Sequence, residues 1–176
     1  MGNCYSYYKN YKLNNELKNL KDDIKLFDLK EKTFDAKVVD VYDGDTCSIV
    51  IRLNNEWTKF KVRTLGYDTP EIKPPKNASN REELIKMAIK SRNYFVSKVT
   101  NCKLELDTHY NKKELKDIIN KNTKIIQVKS HGWDKYGRLL GEIFVDNINI
   151  NNDMIEKKYG YQYDGGTKKM FDVSLE

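Results

Sequence analysis

From Thr33 onward the chain breaks into short runs of β-branched and aromatic residues, and this pattern limits the possible folds more than any other feature. Ala36–Tyr42, Thr46–Leu53 and Trp57–Leu65 are separated by Asp43-Gly44-Asp45 and by Asn54-Asn55. Turn residues at that spacing predict three antiparallel strands in a meander. The stretch from Tyr67 to Asn80 holds Pro70, Pro74 and Pro75 and has no period, so it reads as a loop. Arg81–Thr100 then carries apolar residues at helical spacing and predicts an amphipathic helix.

The second half continues in the same style. Lys103–Thr108 reads as a strand. His109–Lys121 is rich in Lys and Asn and reads as an insertion with a short helix near Glu114–Ile119. Strands follow at about Lys124–Lys129 and Arg138–Val145, joined by a turn at His131–Gly137. After the turn Asp146-Asn147 comes a short helix, Ile150–Lys158, and an extended Gly- and Tyr-rich tail from Gly160. The implied fold is α+β, mainly β: a five-stranded barrel of OB type with an amphipathic helix after the third strand. Before it, the spacing of Leu13, Leu17, Leu20 and Ile24 predicts an extra N-terminal helix over about 13–31. The expected organisation is an extension over 1–34, a barrel domain over 35–168 and a tail over 169–176.

Net charge is +6, which attracts phosphate-rich partners but serves solubility equally well. No apolar run approaches the roughly 20 residues that span a bilayer. Cys4, Cys47 and Cys102 are odd in number and far apart, which favours a reducing, intracellular setting over a disulfide framework or a zinc site. Cys47 and Cys102 fall on expected strands as buried small hydrophobes. Trp57 and Trp133 are expected to pack partly buried, and His131 to lie in a surface turn.

Two acidic clusters stand out at strand ends of this basic chain. Asp43 and Asp45 are two apart, so in extended chain they project to one face. Asp68 and Glu71 flank Thr69-Pro70, and the proline keeps Thr69 extended with its carbonyl available. Carboxylates with a free carbonyl suit a hard cation such as Ca²⁺. Either cluster alone is more often a solvated turn. The basic partners are Arg63, five residues before Asp68, and Arg138, which closes Asp134-Lys135-Tyr136-Gly137-Arg138. Arginine where lysine would serve for charge points to a planar bidentate grip on phosphate.

Taken in order, Asp43-Gly44-Asp45-Thr46, Arg63-x₄-Asp68-Thr69-Pro70-Glu71, an amphipathic helix and Asp134-Lys135-Tyr136-Gly137-Arg138 resemble the staphylococcal, or thermonuclease-like, nuclease family. The resemblance runs from about Ala36 to Lys168. It implies a Ca²⁺-dependent endonuclease, monomeric, acting on DNA and RNA, single-stranded or denatured by preference, and leaving 3′-phosphates. By motif, Asp45 and Asp68 would ligate Ca²⁺ through carboxylates and Thr69 through its carbonyl. Glu71 would orient or deprotonate the attacking water. Arg63 and Arg138 would bind the scissile phosphate, and Lys135 and Tyr136 a terminal phosphate. Asp43 would support Asp45 from behind. The insertion at about 109–123 and the tail from Tyr161 depart from the family pattern, so the base-stacking tyrosine is Tyr161, Tyr163 or neither. Two other readings remain: a catalytically silent OB-fold module that only binds nucleic acid, and a membrane-bound interaction protein whose N-terminal helix docks a partner.

Met1-Gly2-Asn3-Cys4-Tyr5-Ser6 fits the pattern for myristoylation at Gly2, and Cys4 is placed for palmitoylation. One acyl chain binds membranes marginally and two bind stably. The expectation is a lipid anchor on the cytoplasmic face of a membrane, conditional on a eukaryotic cytosol.

Overall fold

Residues 2–78 and 80–166 are described in a computed structural model; of residues 2–5 and 7 the backbone alone is described. The meander forms as its turns dictate. Strand β1 (Thr33–Val41) pairs antiparallel with β2 (Thr46–Leu53), and β2 with β3 (Glu56–Thr64). Asn54 and Asn55 both adopt positive φ, at 48° and 67°, the backbone a two-residue hairpin needs. On its other edge β1 receives β5 (Ile125–Trp133), which pairs with β6 (Leu139–Val145). Strand β6 then runs parallel to β3, with Val62 opposite Leu139 and Thr64 opposite Gly141, closing five strands into a barrel. Gly141 permits that closure. A Cβ there would lie 3.1 Å from Val128 Cγ1 and 3.2 Å from Val62 Cγ1.

Inside the barrel, alternate positions supply the apolar filling. Cys47, Ile49 and Ile51 of β2, Val62 of β3, Val128 of β5 and Leu139 and Ile143 of β6 are all buried. Each fully buried side chain of this kind stabilises the fold by about 1.5–3 kcal/mol. The strands' outer positions mix polar and charged residues with apolar ones such as the exposed Trp57 and Ile125. Phe95 and Val96 of α2 (Arg81–Val99) and Met154 of α4 (Ile150–Glu156) join the same core. A short ladder stands apart from the barrel: β4 (Tyr67–Asp68) pairs antiparallel with β8 (Tyr161–Gln162). Strand β7 (Ile148–Asn149) extends the edge of β6 through a hairpin whose Asp146 and Asn147 again have positive φ.

Several expectations differ from what is seen. The N-terminal helix, α1, covers Gly2–Lys18, and residues 19–32 are turns and irregular chain. The apolar period at 13, 17, 20 and 24 has nothing to bury against, and all four side chains are more than half exposed. Downstream, Leu29 is fully buried, and the backbones of Glu31 and Lys32 pair with Ser130 at 2.8 Å, which ties the turn there to β5. Lys103–Thr108 is no strand. Its backbone is satisfied by side chains of α2: Asn93 donates to the carbonyls of Glu105, Leu106 and Thr108, and Ser97 accepts from the Leu104 amide. The supposed insertion contains α3 (Lys112–Lys121), started by a reciprocal cap between Asn111 and Glu114, and it buries Leu115 and Ile119 in the core.

Single residues depart as well. Trp57 is 76% exposed, because it points outward from β3. Cys47 is buried on β2 as expected, whereas Cys102 is half-buried and off any strand. His131 sits within β5, bonded to Glu142 at 2.8 Å. Among the described residues no helix is long and apolar enough to cross a membrane. Met1 and residues 167–176 lie outside the described residues, as do the side chains of Gly2 and Cys4, so the acylation expected there stands as read from the sequence.

Candidate active site

The turn between β1 and β2 brings the first acidic cluster to the barrel surface. Its Gly44 is pressed against the loop and α2, where a Cβ would lie 2.8 Å from Thr69 Cγ2 and 2.9 Å from Ser91 Cβ. The Tyr67 hydroxyl donates to the Gly44 carbonyl at 2.8 Å. Thr64 donates through both its amide and its hydroxyl to the Asp45 carbonyl, at 2.9 and 3.0 Å. The backbone of Asp45 is thereby fixed from β3.

Its side chain is fixed just as fully. Asp45 Oδ2 accepts from the Thr69 amide at 2.9 Å and the Thr69 hydroxyl at 3.0 Å, and Arg63 Nη1 lies 2.9 Å away. Asp45 Oδ1 accepts from the Thr46 hydroxyl at 2.9 Å. The second terminal nitrogen of Arg63 donates to Asp68 Oδ1, so one buried guanidinium bridges two buried carboxylates. Asp68 Oδ2 accepts from the Tyr161 hydroxyl at 2.9 Å. Asp43 is buried beside them and accepts from the Asp45 amide at 3.3 Å.

The opposite wall comes from the turn between β5 and β6. Asp134 accepts from the amides of Tyr136 and Arg138, each at 2.8 Å, and from Arg138 Nε at 2.7 Å. The Arg138 guanidinium and the Lys135 ammonium both lie against the Tyr136 ring, 5.6 and 5.1 Å from its centre. Between the two walls is a cleft of about 520 Å³. Asp43, Asp45, Arg63 and Glu71 line one side of it, and Lys135, Tyr136 and Arg138 the other.

The predicted residues thus converge, with differences in depth. Asp68 and Thr69 sit behind the cleft surface, in contact with Arg63 and Asp45. Thr69 meets Asp45 through its amide and hydroxyl. Of the two candidate tyrosines, Tyr163 lines the cleft and Tyr161 is bonded to Asp68. Tyr42 and Thr46 also line the cleft and were not singled out by sequence. Their place beside the Asp43–Asp45 turn was the available signal.

Electrostatically the cluster holds more acid than its surroundings readily support. Burial, reinforced by the Asp45 charge, pushes the Asp43 carboxyl up to about 8. Burial raises the Asp45 carboxyl too, against the opposing pull of Arg63. Among the described residues no group of three or more His, Cys, Asp and Glu side chains is arranged to hold a metal. A cation here would rest on the carboxylates of Asp45 and Asp68 and on backbone or water oxygens. Those donors are all oxygen, the kind a hard divalent ion takes, and in this structure the carboxylate oxygens accept from Thr46, Thr69, Arg63 and Tyr161.

The sequence model for staphylococcal nuclease homologues matches residues 61–169, more than half of the chain. The chain belongs to the staphylococcal nuclease homologue family. The stretch matched to that family contains Arg63, Asp68, Thr69, Glu71, Lys135, Tyr136 and Arg138; Asp43 and Asp45 precede it. An uncharacterized protein of Methanocaldococcus jannaschii is 37% identical over 131 residues, covering 72% of this chain and 56% of that protein. The chain therefore spans little more than half the length of that relative.

Proposed function

We propose that the chain is a monomeric endonuclease that hydrolyses phosphodiester bonds of DNA and RNA, single-stranded or denatured by preference, with Ca²⁺ as cofactor. The observation that carries this reading is the convergence of Asp45, Arg63, Glu71, Lys135, Tyr136 and Arg138 on one cleft. Asp45 and Asp68 would hold the cation, with Thr69 beside them. When bound, such an ion supplies Lewis-acid neutralisation of phosphate charge.

The chain's own groups account for the remaining steps. Arg138, oriented by Asp134, and Arg63, oriented by Asp45 and Asp68, offer planar donors to the phosphate oxygens, whose charge grows in the transition state. Lys135 and Tyr136 hold a neighbouring terminal phosphate. Glu71 accepts a proton from the attacking water as its oxygen bonds to phosphorus. The P–O5′ bond breaks, the departing oxygen takes a proton from solvent, and the products carry a 3′-phosphate and a 5′-hydroxyl.

The test is hydrolysis of end-labelled single-stranded DNA and RNA with Ca²⁺ and then with EGTA. Cleavage that EGTA abolishes, with product ends sensitive to a 3′-phosphatase, is the expected result. Binding without any cleavage in Ca²⁺ would identify a silent binding module instead.

We also propose attachment to the cytoplasmic face of a membrane through acylation of Gly2 and Cys4, supported by the Gly2-to-Ser6 pattern. Gly2→Ala is expected to move the protein from the membrane to the soluble fraction of eukaryotic cells. Membrane association that survives that change would overturn this reading.

A further inference from the structure

Strand β3 places four side chains on its outer face: Trp57, Lys59, Lys61 and Arg63. The alternation is fixed by Val62, which is fully buried in the barrel, and by the partner strand, where Cys47, Ile49 and Ile51 point inward. Arg63 ends this row inside the catalytic cleft. At the far end Trp57 is 76% exposed and lies opposite Arg52 across the hairpin, whose guanidinium is 5.9 Å from the ring centre. Arg63 lies six positions along the strand from Trp57, a distance of about 20 Å. Lys59 and Lys61 lie between them, both exposed and neither within ion-pair distance of a carboxylate among the described residues.

We infer that this face is a second binding site, a track for single-stranded nucleic acid that leads out of the cleft. Trp57 and Arg52 form a stacking platform for a base, and Lys59 and Lys61 hold the intervening phosphates. The chemistry follows from the parts. An aromatic ring this large, held in water at a hairpin tip, contributes nothing to the core, whereas every unpaired base offers a flat face to stack on it. Two unpaired ammonium groups in line with it match a polyanion's backbone, and their row continues to the arginine that faces the scissile phosphate. A duplex keeps its bases stacked internally and does not use the platform.

This inference rests on the cleft being a nucleic-acid site, and the experiment keeps the two apart by measuring binding alone, in EGTA. The probes are labelled oligothymidylates of about 4 and about 16 nucleotides, the longer one able to reach across a whole OB-type surface. Lys59→Gln/Lys61→Gln should weaken binding of the longer probe about tenfold and lower the slope of log K against log salt by about 1.4, the share of two phosphate contacts to a single strand. Trp57→Ala should weaken the longer probe about tenfold with the salt slope unchanged. Neither variant should alter binding of the shorter probe. All three side chains are exposed, so the folded state persists, which a thermal melt verifies. Equal weakening of both probes, no weakening of the longer one, or tighter binding of a duplex of the same length would overturn the track. Absence of hydrolysis in Ca²⁺ would bear on the proposed reaction and leave these binding results intact.

Discussion

The Tyr161 hydroxyl donates to Asp68 Oδ2 at 2.9 Å across 93 residues of chain. The bond exists because β8 pairs with β4, setting Tyr161 opposite Asp68. Neighbouring Gly160 lets the strands meet, since a Cβ there would lie 2.6 Å from Tyr67 Cδ2 and 3.0 Å from the Asp68 carbonyl. Tyr161 therefore shapes a proposed metal ligand rather than stacking on a base. Tyr161→Phe removes a hydrogen bond to a charged group, worth about 1.5–3 kcal/mol, and hydrolysis at limiting Ca²⁺ should fall by roughly tenfold or more. Titrating the variant with Ca²⁺ checks this. A rate and Ca²⁺ dependence equal to wild type would reduce Tyr161 to a packing residue.

Arg63 and Arg138 should respond differently to the same substitution. Lysine keeps the charge but cannot bridge Asp45 and Asp68 as the Arg63 guanidinium does. Arg63→Lys should lose about 1–3 kcal/mol of stability because one buried carboxylate is left short of a donor. Arg138 is only half-buried, so Arg138→Lys should cost less stability. Both variants should lose on the order of 10²-fold in turnover if each arginine grips the phosphate. Urea unfolding and single-turnover cleavage separate the two effects. Full turnover in either variant would show that its arginine supplies charge alone.

Asn93 holds the chain that follows α2. It is fully buried, and its amide nitrogen lies within 3.0 Å of the carbonyls of Glu105, Leu106 and Thr108. Asn93→Ala removes the donor that three part-buried carbonyls share, and stability should fall by about 1–3 kcal/mol. Asn93→Asp should be worse, because it places a buried carboxylate against those same oxygens. Thermal unfolding of the two variants gives the order. An aspartate variant as stable as wild type would mean that water enters and replaces the amide.

What the sequence showed and what it hid have physical causes. The meander was readable because Asn54-Asn55 and the Asp43–Asp45 turn punctuate a period of two, and the packed barrel keeps that period. Lys103–Thr108 has strand composition, yet side chains of α2 meet its backbone donors and acceptors first. Leu115 and Ile119 are four apart in a Lys-rich segment, too sparse a signal to mark α3 as part of the core. The acids and arginines of the cleft sit at fixed offsets within strands and turns, so their motifs, taken in order, carried the resemblance to the nuclease family that marked them. The bond between Tyr161 and Asp68 depends on a two-residue ladder, which leaves no periodicity to read.

The turn that presents Lys135 and Tyr136 depends on the ionised form of Asp134. Burial acts to raise this carboxyl, but the amide and guanidinium of Arg138 and the amide of Tyr136 outweigh it and hold it below the ordinary value of 3.8. A carboxylate lowered on folding contributes stability above its unfolded value and loses that contribution as pH falls through the folded one. Asp134→Asn keeps an acceptor for the amides and gives up the charged partner of Arg138 Nε, now 2.7 Å away. The variant should therefore be less stable at neutral pH by about 1–2 kcal/mol. Its deficit should shrink below the unfolded value of 3.8 as wild-type Asp134 takes up a proton. Urea unfolding of both proteins from neutral pH down to about pH 2 measures the difference. A deficit that stays constant across that range would show that the turn is held by its backbone hydrogen bonds and Gly137, whose φ of 76° it also requires.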